Sequence, residues 1–144
     1  MNVLPAISIA SAIMFASWAL YVTLVEHPAR LQSGAAAGRA QFRASYRRAA
    51  PWQVVFDLVA LVGGVATALA TGRSLWLAGA VAIGAAVPFT LLVIMPTNRT
   101  LLGDQPLGDA DTRRLLQRWG RLHAVRTLLG AAAVGAFLVA LGQA

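Results

Sequence analysis

The chain has 144 residues, of which 58% are hydrophobic and only 12% charged, and its net charge of +7 reflects twelve arginines, no lysine and five acidic residues. A soluble domain usually carries about 25% charged residues, so this composition excludes an ordinary soluble domain. It leaves no soluble basic face for nucleic acid, and we expect no nucleic-acid partner. The absence of cysteine excludes structural disulfides and thiolate metal sites.

Four apolar blocks are long enough to cross a membrane as helices, which takes roughly 20 mostly apolar residues each. We therefore predict an all-α integral membrane four-helix bundle. It forms one domain over residues 1–144, with spans at about 4–25, 51–71, 74–95 and 122–141. The first block follows no basic segment and precedes no small-residue cleavage site, so we interpret it as a retained span rather than a signal peptide.

The arginines predict the orientation of the spans. Five lie in the first loop, five in the third and one in the second: Arg30, Arg39, Arg43, Arg47 and Arg48; Arg99, Arg113, Arg114, Arg118 and Arg121; and Arg73. The positive-inside rule places the first and third loops in the cytoplasm. With four spans, both termini then lie outside.

The first loop is predicted to contain a short amphipathic helix between the first and second spans. Arginines recur at every fourth residue beside an aromatic stripe: Arg39, Arg43 and Arg47, with Phe42 and Tyr46. We expect this helix to lie in the headgroup layer with its aromatic rings in lipid and its guanidinium groups in water.

The first span ends in the motif Glu26-His27-Pro28. Pro28 is expected to end the helix and to favour an extended conformation at His27. A neighbouring carboxylate and imidazole are suited to acid–base catalysis or metal binding. The alternative is that Glu26 forms an ion pair with Arg30 and that His27 caps the helix end.

Trp119, His123 and Arg126 are predicted to share one face of the last helix. Their spacing places them at about 0°, 40° and −20° around the helix axis. An arginine inside a span needs an anion or a polar cavity, and a histidine beside it is kept neutral and able to act as a base. The alternative is an arginine that reaches to the headgroups, with a histidine that has no function.

Two further polar residues lie within or at the ends of spans. Asp57 lies inside the second span, where we expect a structural ion pair with Arg126 rather than a catalytic or proton-relay role. Asn98 closes the third span and can both donate and accept hydrogen bonds.

A metal site is a further hypothesis, because two histidines and one carboxylate resemble the ligand set of non-haem iron, zinc or copper. The candidate ligands are His27, His123 and Glu26. The sequence contains no nucleotide-binding or haem-attachment motif, so no other cofactor is indicated.

Four runs of residues together resemble the anthrone oxygenase-like family of small four-helix membrane proteins, most of which are described only as a domain of unknown function. The runs are Tyr21–Arg30, Ser45–Ala50, Pro88–Thr90 with Met95–Asn98, and Arg118–Thr127. The resemblance implies oxidation of an anthrone to an anthraquinone with O₂ and no established cofactor. It points to Asn98, His123 and Arg126 as site residues.

The leading hypothesis is therefore a membrane monooxygenase that oxidises a hydrophobic aromatic or phenolic substrate at a polar pocket on the cytoplasmic side. The catalytic candidates are His123, Arg126, Asn98, Glu26 and His27, and the substrate pocket is predicted to include Trp119, Asp57 and Tyr21. The hypothesis requires His27, Asn98, His123 and Arg126 to surround one pocket.

Two alternatives remain open at this point. One is a small-molecule transporter that works as a homodimer and uses Glu26 and Asp57 as proton-coupled sites. The other is a non-catalytic membrane scaffold that binds a metal, a quinone or a partner. In each case the expected surroundings are membrane lipids, most simply those of a bacterial inner membrane.

Overall fold

The computed structural model describes residues 3–143, and this part of the chain is helical without strands. Its long helices are α1 (Leu4–Gln32), α2 (Ala35–Thr71), α3 (Ser74–Leu102) and α4 (Asp109–Gly142). Each is long and apolar enough to cross a membrane. The prediction of an all-α bundle with four membrane-spanning helices is confirmed.

Short connections make sequential helices neighbours. Gly34 and Gly72 adopt φ values of +90° and +69°, which glycine tolerates best, and they allow the tight turns before α2 and α3. The main contacts join α1 to α2 and α4, and α3 to α2 and α4. The chain therefore runs up and down around one bundle. The sidedness of this bundle in the membrane stays a prediction.

The predicted amphipathic helix is present but is not separate. It forms the first part of α2, which continues through Pro51 as one helix of 37 residues. Its aromatic side faces protein rather than lipid, because Phe42 is fully buried against Trp119 at a ring-centroid distance of 5.1 Å. The expectation that these rings lie in lipid is wrong, and the tertiary contact is the reason that this segment stays aligned with the span.

Two guanidinium groups of this segment, which stay partly exposed, also bind the end of α3. Arg39 Nε donates to the carbonyl of Leu101 at 3.1 Å, and Arg43 Nη2 donates to the carbonyl of Leu102 at 3.0 Å. Both also donate to the carbonyl of Gly103. These carbonyls form the negative end of the α3 dipole, where a cation is stabilising. The two arginines therefore hold α2 against the end of α3.

Two π-helical segments each end two residues before a proline. Val22–Glu26 precedes Pro28 in α1, and Thr90–Ile94 precedes Pro96 in α3. A wider turn moves away the carbonyl with which the proline ring would clash and leaves the helix unbroken. The predictions that Pro28 ends the helix and that His27 is extended are therefore wrong, since His27 has φ −70° and ψ −42°.

The core has two parts. At the end of the bundle that holds the termini, an apolar cluster surrounds Phe137, and Gly64 and Gly79 allow its ring to approach α2 and α3 closely. The cluster at the other end contains Phe42 and Trp119 and borders the polar groups described next. We call these the Phe137 end and the arginine end.

Candidate active site

A cavity of about 40 Å³ lies among α1, α2 and α4 at the arginine end. One face of α2 supplies half of its lining at helical three- and four-residue spacing. The lining is Val22, Glu26 and Arg30 from α1; Phe42, Ser45, Tyr46, Ala49, Ala50 and Gln53 from α2; and Trp119, His123 and Arg126 from α4. We call this space the polar cavity.

The predicted common face of α4 exists. Trp119, His123 and Arg126 all line the polar cavity, and the rings of Trp119 and His123 stack at 4.7 Å between centroids. Arg126 does not reach out to solvent. Its Nη2 donates to Gln53 Oε1 at 2.8 Å, and its guanidinium lies 5.3 Å from the ring centroid of Phe15.

Asn98 joins three helices beneath the cavity. It is fully buried, accepts a hydrogen bond from Trp119 Nε1 at 2.9 Å and donates one to the Tyr46 hydroxyl oxygen at 2.9 Å. Because the amide supplies a proton to that oxygen, the hydroxyl hydrogen of Tyr46 is left to donate elsewhere. Asn98 itself does not line the cavity; it orients two side chains that do.

A chain of hydroxyl groups contacts one nitrogen of His123. The Thr127 hydroxyl lies 2.8 Å from the Thr23 hydroxyl and 3.2 Å from the carbonyl oxygen of Ala19, and the Thr23 hydroxyl lies 3.2 Å from His123 Nδ1. When Thr127 donates to Ala19, Thr23 donates to Thr127 and its oxygen accepts from His123 Nδ1. In this arrangement the proton of His123 is on Nδ1. Nε2 then keeps its lone pair, and no described side chain hydrogen-bonds to it.

Arg30 contacts both polar residues of the motif Glu26-His27-Pro28. Its Nη2 pairs with Glu26 Oε1 at 2.5 Å and donates to Ser45 at 3.0 Å, while Nη1 lies 3.3 Å from His27 Nδ1. Gln41 also accepts a hydrogen bond from Arg30. The ion pair with Arg30 is the alternative that the sequence left open for Glu26. The predicted direct acid–base pair of Glu26 and His27 does not form, because the guanidinium group takes both partners.

His27 lies outside the polar cavity, which corrects one part of the predicted pocket. Its ring is 5.3 Å from the Trp119 ring and lines a separate surface groove with Thr23, Leu31 and Gly120. Trp119 also stacks on His123, so its indole contacts both imidazole rings. The structure therefore brings His123, Arg126 and, through its partners, Asn98 together, but places His27 in a different space.

The geometry does not assemble the predicted metal ligands. Among residues 3–143, no three His, Cys, Asp or Glu side chains converge as a metal cluster. Glu26 is held by Arg30, and the imidazole groups of His27 and His123 line different cavities. The set His27, His123 and Glu26 is thus not a preformed ligand set in this conformation.

The predicted ion pair of Asp57 and Arg126 is absent from the described contacts. Arg126 donates to Gln53, one helical turn before Asp57, and both Asp57 Oδ1 and Arg126 Nε are buried without a hydrogen-bond partner. Asp57 lines a second cavity of about 110 Å³ between α2 and α3, and Arg126 lines both cavities. We call the second space the side cavity.

Tyr21 was the wrong tyrosine to place in the pocket. It is 54% exposed on the outer, apolar surface and lines neither cavity. Tyr46 lines both, and its signal in the sequence is its place in the run Ser45–Ala50 that resembles the family, although its amphipathic helix is predicted to lie in the headgroup layer. Gln53 was also missed; its position one turn before Asp57 on the same helix was the available signal.

The fold and the cavity define a class: a four-span helical protein with a buried, arginine-containing polar site. The sequence profile of the family described as "Anthrone oxygenase" matches residues 1–136. The chain belongs to this family. It is similar to "Anthrone oxygenase tpcL" of Aspergillus fumigatus, with 48% identity over 46 residues, which cover 29% of this chain and 29% of that relative. No solved structure matches the chain.

Proposed function

We propose that this protein is a membrane oxygenase that oxidises a hydrophobic aromatic substrate of the anthrone type with O₂ in the polar cavity. Family membership supports an oxygenase-type function. The observation that carries the proposal is that, in a chain of this family, His123, Tyr46 and Arg126 line one cavity. Since the arginine-rich loops lie at the same end, the positive-inside rule favours a cavity on the cytoplasmic side.

In this proposal His123 is the base. Its Nε2 lone pair removes a proton from the CH₂ group of the ring that faces a carbonyl, which leaves an enolate. The proton on Nδ1 donates to Thr23, so the imidazole is oriented before substrate binds. Glu26 also lines the cavity, but its pairing with Arg30 makes it a weaker base than an unpaired carboxylate.

Tyr46 and Arg126 stabilise the enolate oxygen. The Tyr46 hydroxyl accepts from Asn98 and keeps its own hydrogen for the substrate, and Arg126 has an unpartnered Nε. Donors that are already oriented stabilise a developing negative charge most effectively.

The remaining steps need only O₂. The enolate carbon forms a bond to one oxygen atom, and the protonated His123 returns its proton to give a hydroperoxide. Removal of the second proton from that carbon breaks the O–O bond, leaves a carbonyl group and releases water. The CH₂ group and O₂ thus become C=O and H₂O, with no further reductant. The chain's residues position the substrate and move the protons.

The test is turnover of anthrone by the purified protein in lipid nanodiscs, followed by anthraquinone absorbance and O₂ consumption. We expect one O₂ consumed per anthraquinone formed. Tyr46→Phe should lower kcat about 100-fold, the usual effect of losing one oriented donor to an oxyanion. Tyr21→Phe is the matched control, because this exposed tyrosine lines neither cavity, and it should turn over at the normal rate. No turnover by the wild-type protein, or equal rates for both variants, would contradict the proposal.

A further inference from the structure

A groove follows the line where α1 and α4 meet on the outer surface of the bundle. Its first part, of about 490 Å³, lies at the arginine end, and its lining includes Thr23, Gln117 and Arg121. Its second part, of about 250 Å³, lies deeper along the same two helices, and its lining includes Ile13 and Ala131. Both parts are larger than the polar cavity. We call them together the α1–α4 groove.

The two parts form one continuous groove. On α1 the lining passes from Leu20 in the second part to Thr23 in the first, and on α4 it passes from Thr127 to Ala124, a step of three residues in each case. Three-residue steps stay on one face of a helix. Residue numbers along the groove rise on α1 and fall on α4, because the two helices are antiparallel. A single long molecule can therefore lie against both parts.

Two glycines of α4 close the floor of the groove. Gly120 lies against the His27 ring, and Gly130 lies against the Phe15 ring, so closely that a Cβ atom at either glycine would overlap the ring. The two helices thus leave no opening at these points toward the interior of the bundle. The occupant of the groove comes from the surrounding membrane and lies on the surface of the protein.

The first part of the groove carries a positive charge without a counterion. Arg121 and Gln117 are exposed, and no described residue gives either side chain a hydrogen bond or an ion pair. No acidic residue is in the described lining of the groove, and Glu26 of α1 is paired with Arg30 at the polar cavity. Since the apolar run of α4 begins at Leu122, Arg121 is expected at the depth of the lipid headgroups. A guanidinium group with free donors there is suited to a phosphate group.

The second part of the groove matches one acyl chain in length and polarity. From Thr23 to Ile13 the groove extends over ten residues, about 15 Å at 1.5 Å per residue. This is half of the hydrocarbon core of a bilayer, which is about 30 Å thick. Ile13 and Leu20 are 41% and 47% exposed, so this part is open to lipid. The groove therefore reaches from the headgroups to the middle of the membrane.

We propose that the α1–α4 groove binds one anionic phospholipid from the leaflet at the arginine end. Its phosphate group accepts hydrogen bonds from Arg121 and Gln117, and one acyl chain lies along the groove as far as Ile13. Inorganic phosphate would leave the apolar part unfilled. A second copy of this chain in the same membrane orientation would bring its own Arg121 to the same depth, so that two like charges would meet. The inference does not depend on the proposed oxygenase reaction.

The experiment counts bound lipid by native mass spectrometry. Phosphatidylglycerol and phosphatidylcholine with identical acyl chains are titrated into the protein in detergent micelles. We expect one phosphatidylglycerol to bind the wild-type protein about fivefold more tightly than phosphatidylcholine, the equivalent of about 1 kcal/mol for one arginine beside an anionic headgroup. Arg121→Gln should abolish this preference. Arg113→Gln is the matched control and should keep it, because Arg113 is also exposed on α4 but does not line the groove.

A second pair of variants tests the apolar part. Ala131→Phe fills the groove and should weaken the binding of both lipids about tenfold, the loss of roughly two buried CH₂ groups of the acyl chain. Ala132→Phe is its control, because the neighbouring Ala132 is exposed but lies outside the lining. It should bind both lipids as the wild-type protein does.

Several outcomes would overturn the inference. Equal affinity of the wild-type protein for the two lipids would do so, as would a preference that survives in Arg121→Gln or falls equally in both arginine variants, which would indicate overall charge. Unchanged binding by Ala131→Phe would show that the acyl chain lies elsewhere. A dimer without bound lipid that Ala131→Phe converts to a monomer would show that a second copy of the chain covers the groove.

Discussion

The Phe137 end and the arginine end of the bundle differ in the kind of side chain that fills the space between the helices. At the Phe137 end, α3 and α2 approach a single aromatic ring through Gly79 and Gly64, and Phe137 stacks on Trp76 at 5.2 Å between centroids. At the arginine end, the same four helices surround buried imidazole, amide and guanidinium groups. The first end is packed mainly through small residues and aromatic rings, as membrane helices commonly are, and Arg73 donates to the carbonyl of Ala140 at its edge.

This difference in side chains indicates which end of the bundle mainly contributes stability and which end carries the proposed chemistry. Polar groups inside a membrane are costly and are retained where they have a partner or a function. At the arginine end Asn98 and Arg30 have several partners each, whereas Asp57 and Arg126 each keep one atom without any. We therefore expect substitutions at the Phe137 end to change stability and those at the arginine end to change activity.

The largest expected effects come from a pair of variants, one at each end. His123→Asn removes the proposed base and should lower kcat for anthrone at least about 100-fold, within the range for loss of general acid–base catalysis. Phe137→Ala should instead lower the free energy of unfolding by about 3 kcal/mol, because it leaves a cavity in a fully buried cluster. Unfolding in mixed micelles and turnover below the unfolding transition measure both quantities. If the folded Phe137→Ala protein also loses catalysis, the expectation that substitutions at the Phe137 end change only stability is wrong.

A second pair lies at neighbouring positions of α3. Asn98→Leu leaves the Trp119 indole N–H and the Tyr46 hydroxyl without their partner, so we expect a loss of about 2 kcal/mol in stability together with slower turnover. Thr97→Val is the control: Thr97 is also buried, but its hydroxyl has no hydrogen bond among the described residues. It should retain full stability and turnover. Equal effects at both positions would mean that the amide only fills space.

The helices and one shared face of α4 were predictable from sequence because hydropathy and a period of 3.6 residues are local signals. Trp119, His123 and Arg126 follow from their spacing alone. The predicted ion pair of Asp57 with Arg126 is absent from the described contacts, since spacing along two separate helices does not determine which side chain Arg126 reaches first. Gln53 lies nearer.

The aromatic stripe of α2 shows a second limit of the sequence. An amphipathic pattern indicates that one face is apolar, but lipid and protein both satisfy that face. Tyr46 was therefore placed in the headgroup layer, although it contacts Asn98 through its hydroxyl. The π-helical segments were likewise unpredictable, because proline normally indicates a helix end, whereas here a wider turn precedes Pro28 and Pro96 and the helix continues.

The smallest expected effect concerns two threonines, one at each end. The Thr23 hydroxyl lies 3.2 Å from His123 Nδ1 and is the proposed acceptor of its proton, whereas Thr67, at the Phe137 end, donates to the carbonyl of Gly63 in its own helix at 2.7 Å. Thr23→Val should lower kcat about fivefold, the equivalent of one hydrogen bond at about 1 kcal/mol, and should let the proton of His123 distribute between its two nitrogens. Thr67→Val should change neither.

Nitrogen chemical shifts of labelled histidine, measured by NMR in nanodiscs, report the protonated position directly. Thr23→Ser keeps the hydroxyl and should restore both the Nδ1–H form and the rate, which a purely structural role of the methyl group would not explain. If the proton resides on Nδ1 in Thr23→Val as well, the hydroxyl chain does not orient the base. Stacking on Trp119 would then be the contact that orients His123. The aromatic rings of the arginine end, rather than its hydrogen bonds, would position the proposed base.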